Sequence, residues 1–158
     1  MIITYFGEGK FEIKTSKGKI LTGEKVKIND FSINESGEYE ISGIETELID
    51  NIAVFRTEGI SITYLDKRKK PLSEKEIERI SNIDILFTPV GGEGVFSVKE
   101  SSEAINQIEP KIVIPMYYQD LTEFCKEEGV CAQPQDQLKI SHDKLPTEER
   151  EIIVLRAR

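Results

Sequence analysis

The chain has 158 residues, with 21 Lys and Arg against 29 Asp and Glu, a formal net charge of −8. One His and two Cys exclude a His-rich or Cys-rich zinc site, which takes three or four such ligands. The length suits one domain over residues 1–158 with a core that folds without disulfides, and 38% hydrophobic content excludes a disordered chain.

The charge is uneven. Residues 1–70 hold 11 basic and 12 acidic side chains, and residues 71–158 hold 10 and 17. Such a surface repels phosphates, so no nucleic-acid partner is expected. The run Lys67-Arg68-Lys69-Lys70 ends at Pro71 and reads as a solvated loop. Met1–Tyr5 lacks the basic and apolar regions of a signal peptide. Apolar runs such as Ile112-Val113-Ile114 fall far short of the roughly 18–20 residues of a membrane span. A soluble, reduced, cytoplasmic protein without membrane contact is the expectation.

Along the chain, residues 1–66 alternate with period two. Phe11 and Ile13 stand between Lys10, Glu12 and Lys14, and Val26 and Ile28 alternate with Lys25 and Lys27. Ile44, Thr46 and Leu48 do the same against Glu45, Glu47 and Ile49. This pattern predicts strands with one face in a core and one in water. Gly18, Gly23, Asn34–Gly37 and Asp50-Asn51 supply the turns. Ile52–Thr57 and Ile60–Leu65 follow as two more strands, turning at Glu58-Gly59.

The second half, residues 71–158, reads β-α-β-α. Ser73-x-x-Glu76 and Ser97-x-x-Glu100 are reciprocal caps that open helices. The first helix turns Ile77 and Ile80 inward. The second turns Val98, Ile105 and Ile108 inward and stops before Pro110. Ile83–Pro89 and Lys111–Pro115 are apolar strands with little alternation, as expected of strands covered on both faces. A third helix runs from Leu121 to Glu128 and stops at Gly129, and short strands are expected near Val130–Gln133 and Ile152–Arg156. Two packed mixed sheets with helices on one outer face fit this order.

Four segments then resemble a family. Met1–Phe11 (MIITYFGEGKF), Ser36–Ile44 (SGEYEISGI), Ile83–Gly92 (IDILFTPVGG) and Glu109–Tyr118 (EPKIVIPMYY) are similar to metal-dependent hydrolases of the metallo-β-lactamase fold. The branch is the one that includes L-ascorbate-6-phosphate lactonase-like proteins. The resemblance implies a truncated αββα sandwich. It also implies a His-x-His-x-Asp-His metal motif that this chain does not carry, and the stretch from Leu21 to Ser36 leaves little room for it. Where the family's opening strand runs into Gly-His, this chain has Gly7-Glu8-Gly9. Where the late strand ends Ile-Pro-Met-His-Tyr, Tyr117 replaces the liganding His, and a phenol is a poor zinc ligand at neutral pH. Asp66 matches the family's metal-bridging Asp.

The resemblance therefore implies a degenerate member, its zinc site lost and no metal bound, that acts as a binding or assembly module. The alternative is a small hydrolase or lactonase using Glu8, Asp66 and Tyr117, with or without a divalent cation. Gly91, Gly92 and Gly94, between a strand and a capped helix, are candidates for cradling a phosphate. Cys125 is expected as a buried thiol. Cys131 and His142 are isolated. Loss of a helical layer leaves a sheet face that needs charge or a partner, so a homo-oligomer is expected, with an unidentified small-molecule or protein ligand.

Overall fold

A computed structural model describes every residue except Glu93, Val130 and Ala132. Two sheets lie face to face, and each follows from the alternation above. The first contains β1 (Ile2–Tyr5), β2 (Phe11–Lys14), β3 (Lys19–Leu21), β4 (Val26–Ile28), β5 (Phe31–Ile33) and, much later in the chain, β12 (Leu138–Lys139). Its order is β12-β1-β2-β3-β4-β5, antiparallel throughout, where a mixed sheet was expected. Short turns force consecutive strands to pair as hairpins.

The second sheet takes β6 (Gly37–Ile41), β7 (Ile44–Ile49), β8 (Ile52–Thr57), β9 (Ile60–Leu65), β10 (Ile85–Pro89), β11 (Ile112–Met116) and β13 (Glu151–Ile152). Its order is β13-β11-β10-β9-β8-β7-β6. Hairpins make β6 to β9 antiparallel, and β9, β10, β11 and β13 run parallel because helices connect them. The sheet is mixed, as expected.

Two apolar layers hold these parts. Between the sheets pack Ile3, Tyr5, Phe11, Ile13, Phe55 and Phe87 among others. Tyr5 stacks on Phe11 at 4.5 Å, and Phe11 meets Phe87 edge-on at 4.5 Å. On the far side of the second sheet, Val54, Leu86 and Val113 meet Ile80, Ile105 and Phe124 from the helices. The three α-helices, α1 (Glu74–Arg79), α2 (Val98–Ile108) and α3 (Thr122–Glu128), all lie on this side. The layers therefore run sheet, sheet, helix, and among the described residues no helix covers the outer face of the first sheet.

The helix ends follow their caps. Ser73 and Ser97 each accept the N–H of the residue three positions on, and Glu76 and Glu100 each return a carboxylate to the cap N–H. α3 ends at Gly129, whose φ of 84° is left-handed.

Some expectations are corrected. Of the strand expected near Val130–Gln133, Val130 and Ala132 lie outside the described residues, and Cys131 and Gln133 belong to no strand. The last strand is confined to Glu151–Ile152, with one further bridge between Gln135 and Leu155. Cys125 is half-buried, and Cys125 and Cys131 form a disulfide with their Cα atoms 5.3 Å apart. A buried Cys125 thiol and an isolated Cys131 in a reduced protein were expected, but the turn at Gly129 brings the chain back beside α3. Among the described residues, no helix is long and apolar enough to cross a membrane.

Candidate functional site

Three strand ends meet at one rim of the sandwich: the Gly7-Glu8-Gly9 turn after β1, Asp66 after β9 and Tyr117 after β11. The Tyr117 hydroxyl donates to Asp66 Oδ1 at 2.8 Å. The Tyr64 hydroxyl lies 3.0 Å from the Gly9 carbonyl oxygen and 3.2 Å from the same Asp66 oxygen. The Thr22 hydroxyl donates to the Gly9 carbonyl at 2.8 Å and accepts the Phe11 N–H at 3.1 Å.

Tyr117 fills the space above the turn. A Cβ on Gly9 would come within 2.3 Å of its hydroxyl oxygen, so only glycine fits beneath the ring. Tyr117 itself has φ +53°, a conformation that aromatic residues seldom adopt. Gly92 packs against its backbone, where a Cβ would lie 2.4 Å from the Tyr117 carbonyl oxygen.

Asp66 is fixed from its other side. Its N–H donates to the Asn51 carbonyl at 3.0 Å, and Asn51 Nδ2 donates back to the Asp66 carbonyl at 3.0 Å. Asn51 Oδ1 accepts from Arg68 at 3.1 Å. Arg68 also grips both oxygens of Glu76, at 2.9 and 2.6 Å, and donates to the Lys70 and Pro71 carbonyls. The basic run is thus not simply a solvated loop: Arg68 is 8% exposed, because the bidentate carboxylate and three further acceptors satisfy its guanidinium. Burial raises the Glu76 carboxyl, but the Arg68 guanidinium and the Ser73 cap more than offset this and hold it below its ordinary range.

Burial, and then the negative charge of Asp66, push the Tyr64 phenol well above its ordinary value. Burial also drives Tyr117 upward; the contact with Tyr64 opposes this, but Asp66 adds to the rise. Both phenols therefore stay protonated at neutral pH and serve as hydrogen-bond donors. A cleft of about 290 Å³ opens beside Tyr64 and Asp66 and is also lined by Lys25, Asp50 and Asn51.

This donor set does not fit zinc. One carboxylate and two protonated phenols fall short of the nitrogen, sulfur and carboxylate ligands that hold it. Among the described residues, no group of three or more His, Cys, Asp or Glu converges.

The structure brings Asp66 and Tyr117 together and turns Glu8 away. The Glu8 side chain is 86% exposed, with the Lys10 ammonium 4.0 Å from its carboxylate. Gly91 donates its N–H to the Phe96 carbonyl at 2.7 Å, Gly92 is occupied by Tyr117, and Gly94 lies near Lys69. Glu93 lies outside the described residues. His142 sits in a single 3₁₀ turn, His142–Lys144, against the Gly59 turn. Sequence reasoning missed Tyr64, Thr22 and Asn51. The available signal was that Tyr64 shares the inward phase of Ile60 and Ile62 and stands two residues before Asp66.

Residues 11–117 match the family model described as a beta-lactamase superfamily domain. A UPF0173 metal-dependent hydrolase of Staphylothermus marinus is 36% identical over 64 residues, 40% of this chain and 25% of that protein. The matches span at most a quarter of the length of such curated relatives. A candidate Zn-dependent hydrolase of the metallo-beta-lactamase superfamily from Thermotoga maritima has a similar structure. Its TM-score is 0.87 and its identity 23%, with 98% of each chain covered. A metallo hydrolase from the hyperthermophilic archaeon Ignicoccus hospitalis superposes with a TM-score of 0.65 at 13% identity, covering 89% of this chain and 99% of that one.

Proposed function

The chain belongs to the beta-lactamase superfamily, and from that premise we propose that it is a degenerate member. It binds no metal, has lost hydrolase activity and acts as a binding or assembly module. The observation that carries this reading is the hydrogen bond from Tyr117 to Asp66 across Gly9. A protonated phenol occupies the place where the family resemblance puts a liganding imidazole, and it bonds to the carboxylate that the resemblance makes the metal bridge. The exposed Glu8 supports the same reading, because it does not join Asp66 as the second carboxylate that the family resemblance would offer for acid–base work.

Binding is what the remaining rim offers. The cleft beside Asp66 is lined by Glu24, Lys25, Asp50 and Asn51 as well, charged and polar residues of the kind that orient a small polar ligand. A cytoplasmic location belongs to the same proposal. The Cys125–Cys131 disulfide fits a cytoplasm of the kind found in hyperthermophiles, where intracellular disulfides persist.

A turnover screen with phosphoester, lactone and β-lactam substrates, with and without added Zn²⁺, tests the proposal. No turnover is expected in either condition. Turnover abolished by Asp66→Asn or by a chelator would overturn the proposal in favour of a small hydrolase built on residual carboxylates.

A further inference from the structure

The open face of the first sheet is basic in a chain that is acidic overall. Its strand registers place Lys139 opposite Ile2, Ile2 opposite Lys14, and Lys14 opposite Lys19. These positions form one row across four strands, roughly 14 Å wide at the usual strand spacing. Lys27 stands in the next row, opposite Leu21, which is opposite Glu12. Lys14, Lys27 and Lys139 are exposed, Lys19 is half-exposed, and Ile2 and Leu21 between them are half-buried. Glu12 bridges Lys14 and Lys19 at 3.2 and 3.6 Å. Four lysines against one glutamate give this face +3, so the rest of the chain carries −11 of the net −8.

The far side of the molecule shows the opposite charge in the same form. Across β6 and β7, Glu38 is opposite Glu47 and Glu40 is opposite Glu45. These residues point away from the inter-sheet core, into which Ile44 and Leu48 pack. Arg79 pairs with Glu47 and Arg56 stands opposite Glu45. Glu38 and Glu40, on the edge strand, make no ion pair among the described residues. Like charges directly opposite one another destabilise a sheet. Each grid is unfavourable alone, and each removes the other's repulsion when the two meet.

We propose that the basic face of the first sheet is a docking surface for the acidic β6–β7 face of a second copy of this chain. The inference rests on the assembly-module reading and names its partner. The two patches lie on opposite outer faces of one sandwich, so the contact is heterologous and head-to-tail. Two-fold stacking of the basic faces would set lysine against lysine. Docking in the proposed sense covers Ile2 and Leu21 and gives Glu38 and Glu40 the cations they lack.

Sedimentation velocity tests this on the whole chain, as a concentration series at roughly 20 and 500 mM NaCl, which bracket weak and strong screening. Association that grows with concentration at low salt and disappears at high salt is expected. Lys14→Gln/Lys27→Gln discharges the basic face and Glu38→Gln/Glu40→Gln the acidic one, neither creating a face of reversed sign. Each variant, with an unchanged melting curve, should be monomeric alone. Mixed in equal amounts they should form a dimer and nothing larger, because each retains one intact face. A wild-type monomer at low salt, association indifferent to salt, self-association of either variant, or a mixture that stays monomeric would each overturn the proposal. The zinc content of the same preparation keeps the two readings apart: a metal-free monomer overturns the docking alone, whereas bound zinc overturns the reading beneath it.

Discussion

Away from the glutamates of β6 and β7, the outward side chains of the two sheets have opposite fates. On the second sheet Ile52, Val54, Leu65, Leu86 and Val113 are apolar and lie under three helices. On the first, the outward positions of the paired strands hold Lys14, Lys19, Lys27 and Lys139, with no helix above them among the described residues. An alternating strand cannot serve as a doubly covered one, nor the reverse, since its outward residues determine whether water or protein lies beyond it. The rim where the three strand ends meet lies between these layers, and there Tyr64, Tyr117 and Asp66 form a hydrogen-bonded cluster.

Truncation on either outer face tests the contrast most strongly. Leu86→Ala should cost about 3 kcal/mol by chemical denaturation, because Leu86 is fully buried beneath the helical layer. Leu21→Ala, on the open face, should cost about 0.5 kcal/mol. Equal losses would mean that the open face is covered in solution.

Next in size is Arg68→Ala, which leaves the Glu76 carboxylate and the Asn51 turn without their shared donor. About 3 kcal/mol is expected, as when one partner of a buried pair is removed. The pH dependence has a definite sign. Glu76 and Asp84 both titrate below their ordinary 4.5 and 3.8: burial raises each, but Arg68 and Ser73 outweigh it at Glu76, and Lys111 and Ser61 at Asp84. Their folded-state pKa values are lowered, so their contribution is complete above those ordinary values and is lost as pH falls through the folded values. Glu76→Gln should therefore flatten the acid limb of an unfolding titration followed by circular dichroism and leave its slope near neutrality unchanged.

At the rim itself, Gly92→Ala should cost about 2 kcal/mol, since the new Cβ meets the Tyr117 carbonyl. Tyr117→Phe should cost about 1 kcal/mol, the scale of one hydrogen bond on a half-buried group. If it cost nothing, the Tyr117–Asp66 bond would not be holding the rim together.

Much of this fold is legible in the sequence because local rules agree with the global arrangement. The Ser73 and Ser97 caps open α1 and α2, the apolar runs become β10 and β11, and period-two alternation marks β2, β4 and β7. β12 is not legible: Leu138 and Lys139 are too few to show a period, and only pairing with β1 makes them a strand. The disulfide is hidden for a similar reason, since its six-residue spacing closes only through the left-handed turn at Gly129. At the site, Asp66 and Tyr117 could be named from resemblance. The contacts of Tyr64 and Thr22 with Gly9 could not, because they join residues up to 55 positions apart and arise from sheet packing.

The metal content of the untagged protein, purified without added metal and dialysed, tests the central claim most directly. Elemental analysis should find zinc and other transition metals far below one equivalent per chain, as a rim of one carboxylate and two protonated phenols predicts. One tightly held zinc per chain, lost on Asp66→Asn, would contradict the account.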